Sequence, residues 1–170
     1  GLQLWLNLPQ KDKFAPPQYR DLSGDRIPRV REPGVCVGVV AGHYGTTVGP
    51  TQGDYVKTTM LDVALEPGAR FHLPTDSEAT VFVYIVEGAG HFGGSDETVA
   101  SHQAVLFGEG DEWTAQAGEK GVRFLLFAGR PLREPVAWGG PIVMNTREEL
   151  DQAFAEIENG TFLREPGTQA

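Results

Sequence analysis

Between residues 35 and 138 the chain consists of short apolar runs that recur about every ten to fifteen residues, each closed by a turn signal such as Glu66-Pro67-Gly68-Ala69. Runs of that length suit strands better than amphipathic helices, and the short loops between them specify antiparallel pairing. Gly and Pro, 22 and 12 of the 170 residues, together form a fifth of the chain against a usual background of about 12%. That is the supply of turn formers such an architecture needs. Strands are predicted over 35–41, 55–65, 70–73, 79–87, 90–92, 98–101, 104–107, 112–116, 122–128 and 136–138. The run Thr80-Val81-Phe82-Val83-Tyr84-Ile85-Val86 is apolar at every position but its first, which predicts an inner strand lying between two layers. The fold class expected from these features is all-β.

The flanks read differently. Gln3-Leu4-Trp5-Leu6-Asn7-Leu8 alternates with the period of a strand and stops at Pro9, so the chain is expected to start inside a strand and, lacking Met, to have been cut there. Residues 10–33, rich in Pro, Gly and charge, predict an extended arm. At the other end Thr146 and Glu149 form an S/T-x-x-E capping box, with Leu150, Ala153, Phe154 and Ile157 on one helical face and Asn159-Gly160 as the stop. This predicts one helix over 146–160 packing on the sheet, followed by a frayed tail over 161–170.

The chain carries 14 Lys and Arg against 23 Asp and Glu, a formal net charge of −9. Without a basic cluster it lacks the footprint that phosphate neutralisation needs, so direct contact with nucleic acid or an anionic membrane is not expected. No apolar run approaches the ~20 residues of a membrane span and the start is not a signal-peptide n-region, so a soluble, cytoplasmic protein is expected. Cys36, inside an apolar run, is expected to be a buried core thiol. Trp5, Trp113 and Trp138 are expected in the core or at an interface. The Gly-rich stretch 87–94 has no following helix and no Gly-Lys-Ser/Thr, which makes it a hairpin and not a phosphate loop. No Gly-x-Ser-x-Gly elbow supports hydrolase chemistry.

Six stretches, in order along nearly the whole chain, resemble the pirin family, and within it the C-terminal half of the two-cupin pirins. They are 1–9 (Gly-Leu-Gln-Leu-Trp-Leu-Asn-Leu-Pro), Val37-Gly38-Val39-Val40-Ala41-Gly42, 65–69, Gly108-Glu109-Gly110-Asp111, Gly129-Arg130-Pro131-Leu132-Arg133-Glu134-Pro135 and Gly140-Pro141-Ile142-Val143-Met144-Asn145-Thr146. The resemblance implies a cupin jelly-roll β-barrel over 34–145 with the C-terminal helix packed on it. It also implies an N-terminal cupin domain that this chain does not contain. In the family that domain holds iron through three histidines and a glutamate, and members are associated with quercetin 2,3-dioxygenase-like activity and with co-regulation of transcription factors.

A metal-holding cupin needs ligands alternating along one strand and a histidine from a later one. Laid on that pattern, the first-motif positions fall on Pro74, Asp76 and Thr80, and the second-motif positions near Val122 and Phe124. No His follows His102. The chain is therefore expected to hold no metal or cofactor, with iron or another divalent metal in the missing domain. A register shift bringing His72 and Glu78 inward beside Asp76 is the metal-binding alternative; a strand-end His72 with a solvated Glu78, or a polar pocket without metal, are the others. His43, His91 and His102 are expected in turns or at the surface.

The first functional expectation is a metal-free C-terminal cupin domain with a structural and regulatory role beside the metal barrel, which would carry any dioxygenase activity. Leu4, Leu6, Leu8, Phe14 and Tyr19, within a junction segment 1–33, are expected to meet that missing domain, with a homodimer as the other way to cover them. A second is a small oxygenase or isomerase built from His72, Asp76, Glu78 and Tyr84. A third is an interaction module for a protein such as a transcription factor.

Overall fold

A computed structural model describes residues 1–163. In chain order the strands are β1 (Arg29–Glu32), β2 (Val35–Ala41), β3 (His43–Tyr44), β4 (Thr47–Val48), β5 (Thr58–Leu65), β6 (Arg70–Pro74), β7 (Thr80–Phe92), β8 (Thr98–Ala100), β9 (Ala104–Leu106), β10 (Glu112–Gly129), β11 (Ala137–Gly139) and β12 (Ile142–Met144). The helix α1 (Arg147–Glu158) follows, and short 3-10 turns lie at Gln10–Asp12 and Gly24–Arg26. The chain divides into two compact units, residues 21–131 and residues 1–20 together with 132 onward.

The first unit is an antiparallel sheet in the order β1-β2-β5-β10-β7-β8, with β6 added to β10 and β9 to β7. β7 and β10 are long enough to serve two sheet halves. Their C-terminal and N-terminal parts respectively, around Phe92 and Ala115, pair with each other and with β6 and β8. Their remaining parts pair with each other, with β5 and with β9. Among the described residues the pairing does not close into a ring. Each was expected as two strands separated by a turn. The interruptions are instead irregularities within continuous strands, with a register break between Ala117 and Val122 of β10.

Alternation sends Val35, Val37 and Val39 of β2, Leu61, Val63 and Leu65 of β5, and Val81, Val83 and Ile85 of β7 into one core. From the other half come Phe71, Leu73, Phe92, Trp113 and Ala115. Phe124, fully buried, has Phe71, Phe92 and Trp113 around it at ring-centroid distances of 6.2, 5.4 and 5.5 Å, all edge-to-face. On the opposite face of β7, Phe82, Tyr84 and Val86 are half-buried, with Phe82 stacked on Phe127 at 4.6 Å. The apolar run 80–86 is thus covered fully on one side and partly on the other. The same alternation corrects the expectation for Cys36: it lies on the outer face between the buried Val35 and Val37 and is only partly covered. Trp113 is the core tryptophan; Trp5 and Trp138 are 57% and 70% exposed.

In the second unit the expected capping box is present, with Thr146 accepting from the Glu149 backbone N–H and the Glu149 side chain accepting from the Thr146 backbone. Leu150 and Ala153 bury the helix face against Met144, with Ala137, Ile142 and Phe162 packed around them. Phe154 and Ile157, predicted on that face, are 38% and 44% exposed. Phe162 also packs on the Phe14 ring at 5.7 Å; residues 164–170 of the expected tail lie outside the described residues. Thr146→Ala should lower stability by about 1 kcal/mol in urea titrations through loss of the cap.

Residues 3–8 form no strand. Period-two alternation specifies which face is apolar, but a strand also needs a neighbouring backbone, and no described residue supplies one. Leu2, Leu4, Trp5 and Leu6 are consequently exposed, Leu8 is half-buried, and Tyr19 is 91% exposed.

Candidate functional site

The four residues singled out from the sequence do not converge. His72 sits on β6 between the inward Phe71 and Leu73, so its ring faces outward, 54% exposed, with Nε2 at 2.9 Å from Glu112 Oε2. Tyr84 lies on the outer face of β7, half-buried. Asp76 and Glu78, in the loop after β6, are brought together by Arg130: its Nε donates to Asp76 and its Nη1 lies 3.2 Å from Glu78. The Arg130 guanidinium, aided by the backbone N–H of Glu78, holds the Asp76 carboxyl below the ordinary carboxylate range. These carboxylates are therefore committed to tying the loop to the end of β10.

The interior offers no replacement. Phe124, one of the two positions matched to the second ligand motif, is fully buried among aromatic rings, and Val122 is 4% exposed. Pro74 and Thr80 are exposed. Among the described residues no three His, Cys, Asp or Glu side chains come close enough to hold a metal ion. The donors among the described residues are thus not arranged as the three histidines and one glutamate of an iron site would be. His43 is exposed and His102 occupies a turn with φ of 67°.

Two polar assemblies were not legible as sites. In the unit 21–131, an open cavity of about 530 Å³ is lined by residues of β6, β7 and β10, including Arg70, His72, His91 and Gln116. In the other unit, Glu134 accepts from the Gln10 backbone N–H at 2.8 Å and from Asn145 Nδ2 at 3.1 Å. Glu149 accepts from the Asn145 and Thr146 backbones at 2.9 and 3.1 Å and from Gln10 Nε2 at 2.8 Å. The two carboxylates fasten the N-terminal arm to the start of α1. Beside them is a cavity of about 200 Å³ whose lining includes Lys13, Phe14 and Met144. Desolvation lowers the Lys13 pKa, against the opposing pull of Glu134 and Glu149.

The hydrogen bond from Asn145, then that from Gln10, holds the Glu149 carboxyl below its ordinary pKa. The folded state thus binds this proton more weakly than the unfolded state. Its stabilisation is complete above the ordinary carboxylate value of about 4.3 and disappears as pH falls through the lower folded value. Glu149→Gln should destabilise the chain at pH 7 in urea titrations, and the gap from the parent should narrow toward pH 3.

The antiparallel sheet, with its two long strands shared between the halves, is a cupin fold. The structure superposes on a quercetin 2,3-dioxygenase from Acinetobacter baumannii with a TM-score of 0.82 and 30% identity, over 93% of this chain and 55% of that one. The chain belongs to the pirin family: the sequence profile of the Pirin C-terminal cupin domain matches residues 60–163. It is 42% identical over 166 residues to Pirin-1 of Arabidopsis thaliana, covering 94% of this chain and 56% of that protein. With Pirin of Homo sapiens it shares 38% identity over 164 residues, again covering 94% and 56%. The chain thus spans about half the length of the curated relatives it matches. Among the described residues no helix is long and apolar enough to cross a membrane.

Proposed function

We propose that this chain is the metal-free member of a pair of cupin domains and acts by docking against, and shaping the pocket of, an N-terminal metal-holding partner. The observation that carries this reading is the aromatic packing of its interior: Phe124, at a position matched in sequence to the second ligand motif, is enclosed by Phe71, Phe92 and Trp113. Quercetin 2,3-dioxygenase-like chemistry, the activity in the name of the Acinetobacter relative, would belong to the partner domain, together with its iron or other divalent metal. The apolar side chains of Leu4, Trp5 and Leu6, exposed in this chain, would be covered in the pair.

The test joins hydrodynamics to an apolar-surface dye. The chain alone should bind the dye or self-associate, and a separately produced N-terminal half of a relative such as Pirin-1 should suppress both by forming a one-to-one complex. Leu4→Asp with Leu6→Asp should weaken that complex strongly. A monomer that binds no dye and ignores the N-terminal half would remove this reading.

A further inference from the structure

We propose that the outer face of the β6–β10–β7 sheet half is a binding site for a small organic oxoanion, a carboxylate or phosphate ester, centred on Arg70 with His72 and His91. The register places these groups together. Arg70, Gln116 and His91 form one cross-strand row, and His72 and Thr114 form the next row on the same face. Their sequence neighbours Phe71, Ala115 and Phe92 point into the core, which fixes the polar set outward. Three strands at roughly 4.8 Å spacing make a row about 10 Å wide, suited to a small molecule. The turn carrying Gly94, Ser95 and Asp96 forms one wall of the 530 Å³ cavity, a volume within the usual range of about 300 to 1,000 Å³ for small-ligand sites.

The chemistry of the lining selects an anion. In a chain of net charge −9, this cavity gathers an arginine and two histidines. Arg70 takes part in no hydrogen bond or ion pair of its side chain among the described residues, so its planar fork is available for bidentate contact with a carboxylate or phosphate. His91 lines the cavity, and its Nδ1 is shielded from solvent without a hydrogen-bond partner. Ser95 Oγ accepts from the Glu97 backbone N–H at 3.1 Å, which leaves its O–H free to donate into the cavity. Two acids also lie here. Glu112 is bound to His72 Nε2 and orients that ring, while Asp96 lines the wall and disfavours ligands with a second charge on that side. A metal cation is disfavoured by the Arg70 guanidinium itself.

The chain contains four histidines, and their ring resonances provide the readout. Lactate and glycerol phosphate are titrated separately at constant ionic strength, with His72→Gln and His91→Gln used to assign the signals. Saturable shifts of the His72 and His91 rings, with His43 and His102 unmoved, are expected for at least one probe. The responding probe distinguishes a carboxylate from a phosphate ligand. Arg70→Gln should weaken binding at least about tenfold, as should Gln116→Glu, which sets a negative charge in the same row; Arg31→Gln on β1 should leave it unchanged. Four histidines shifting together without saturation, silence with both probes, or undiminished binding by the folded Arg70→Gln chain would overturn the proposal.

Discussion

Phe124→Ala is expected to lower the unfolding free energy by about 3 to 5 kcal/mol, the usual cost of deleting a fully buried aromatic side chain. The ring is inaccessible to solvent and is met edge-to-face by Phe71, Phe92 and Trp113. These contacts join residues from both sheet halves, so the cavity left behind would lie where neither half can collapse without moving the other. A domain of this size has a net stability of roughly 5 to 15 kcal/mol, so the loss is a large share of the whole. Urea titrations should show the midpoint falling with little change in slope, while Phe124→Leu keeps much of the volume and loses less. A loss below about 1 kcal/mol for the alanine variant would mean that the rings do not form a packed interior.

Gly88→Ala should be nearly as damaging, for a backbone reason. Gly88 lies in β7 at φ of 75°, and a Cβ there would come 2.2 Å from the Gly121 carbonyl oxygen, which is backbone and cannot swing aside. Opposite it, Gly121 sits at φ of 79° with its own Cβ position 2.7 Å from the Leu65 carbonyl oxygen. Gly88 lets β7 approach β10, and Gly121 lets β10 approach the end of β5, where the long strands pass from one sheet half to the other. Strain plus displacement of a carbonyl should cost about 3 kcal/mol or more. Gly94, at the same φ of 75° but with nothing within 4 Å of a Cβ, isolates the conformational part, so Gly94→Ala should cost only about 1 to 2 kcal/mol. Equal losses at the two positions in thermal or urea unfolding would show that the close approach at Gly88 is not a constraint.

These glycines also mark where sequence and structure part. In the sequence a glycine between apolar runs signals a turn, and 88 and 121 each divided one long strand into two; only the fold shows a break of register within continuous strands. The regular strands were legible because β2, β5 and the first part of β7 are short runs rich in Val, Leu and other apolar residues, bounded by turn signals. Arg29–Glu32 was not, having a single apolar side chain, Val30, among charges. Cys36 was misplaced because a run of apolar residues conceals which face each one occupies. Residues 3–8 alternate as a strand would, but no described residue pairs with them. The helix was fully specified by its capping box and glycine stop.

The candidate site was less legible because its geometry depends on distant partners. Glu112, which holds His72, is 40 residues away, and Arg130, which claims Asp76 and Glu78, is 54 residues from Asp76. The cavity around Arg70 likewise arises from three strands coming into register. Sequence could show that no late histidine existed to complete a cupin metal centre; only packing could show that aromatic rings fill the interior.

Metal content per chain, by elemental analysis of the purified 170-residue protein beside a two-domain relative prepared identically, tests the central claim most directly. The account predicts well under 0.1 equivalent of any transition metal in this chain, with near-unit iron or another divalent metal only where the second cupin domain is present. One equivalent of metal in the 170-residue chain, retained through dialysis against a weak chelator, would contradict it and require a ligand set that the described residues do not assemble.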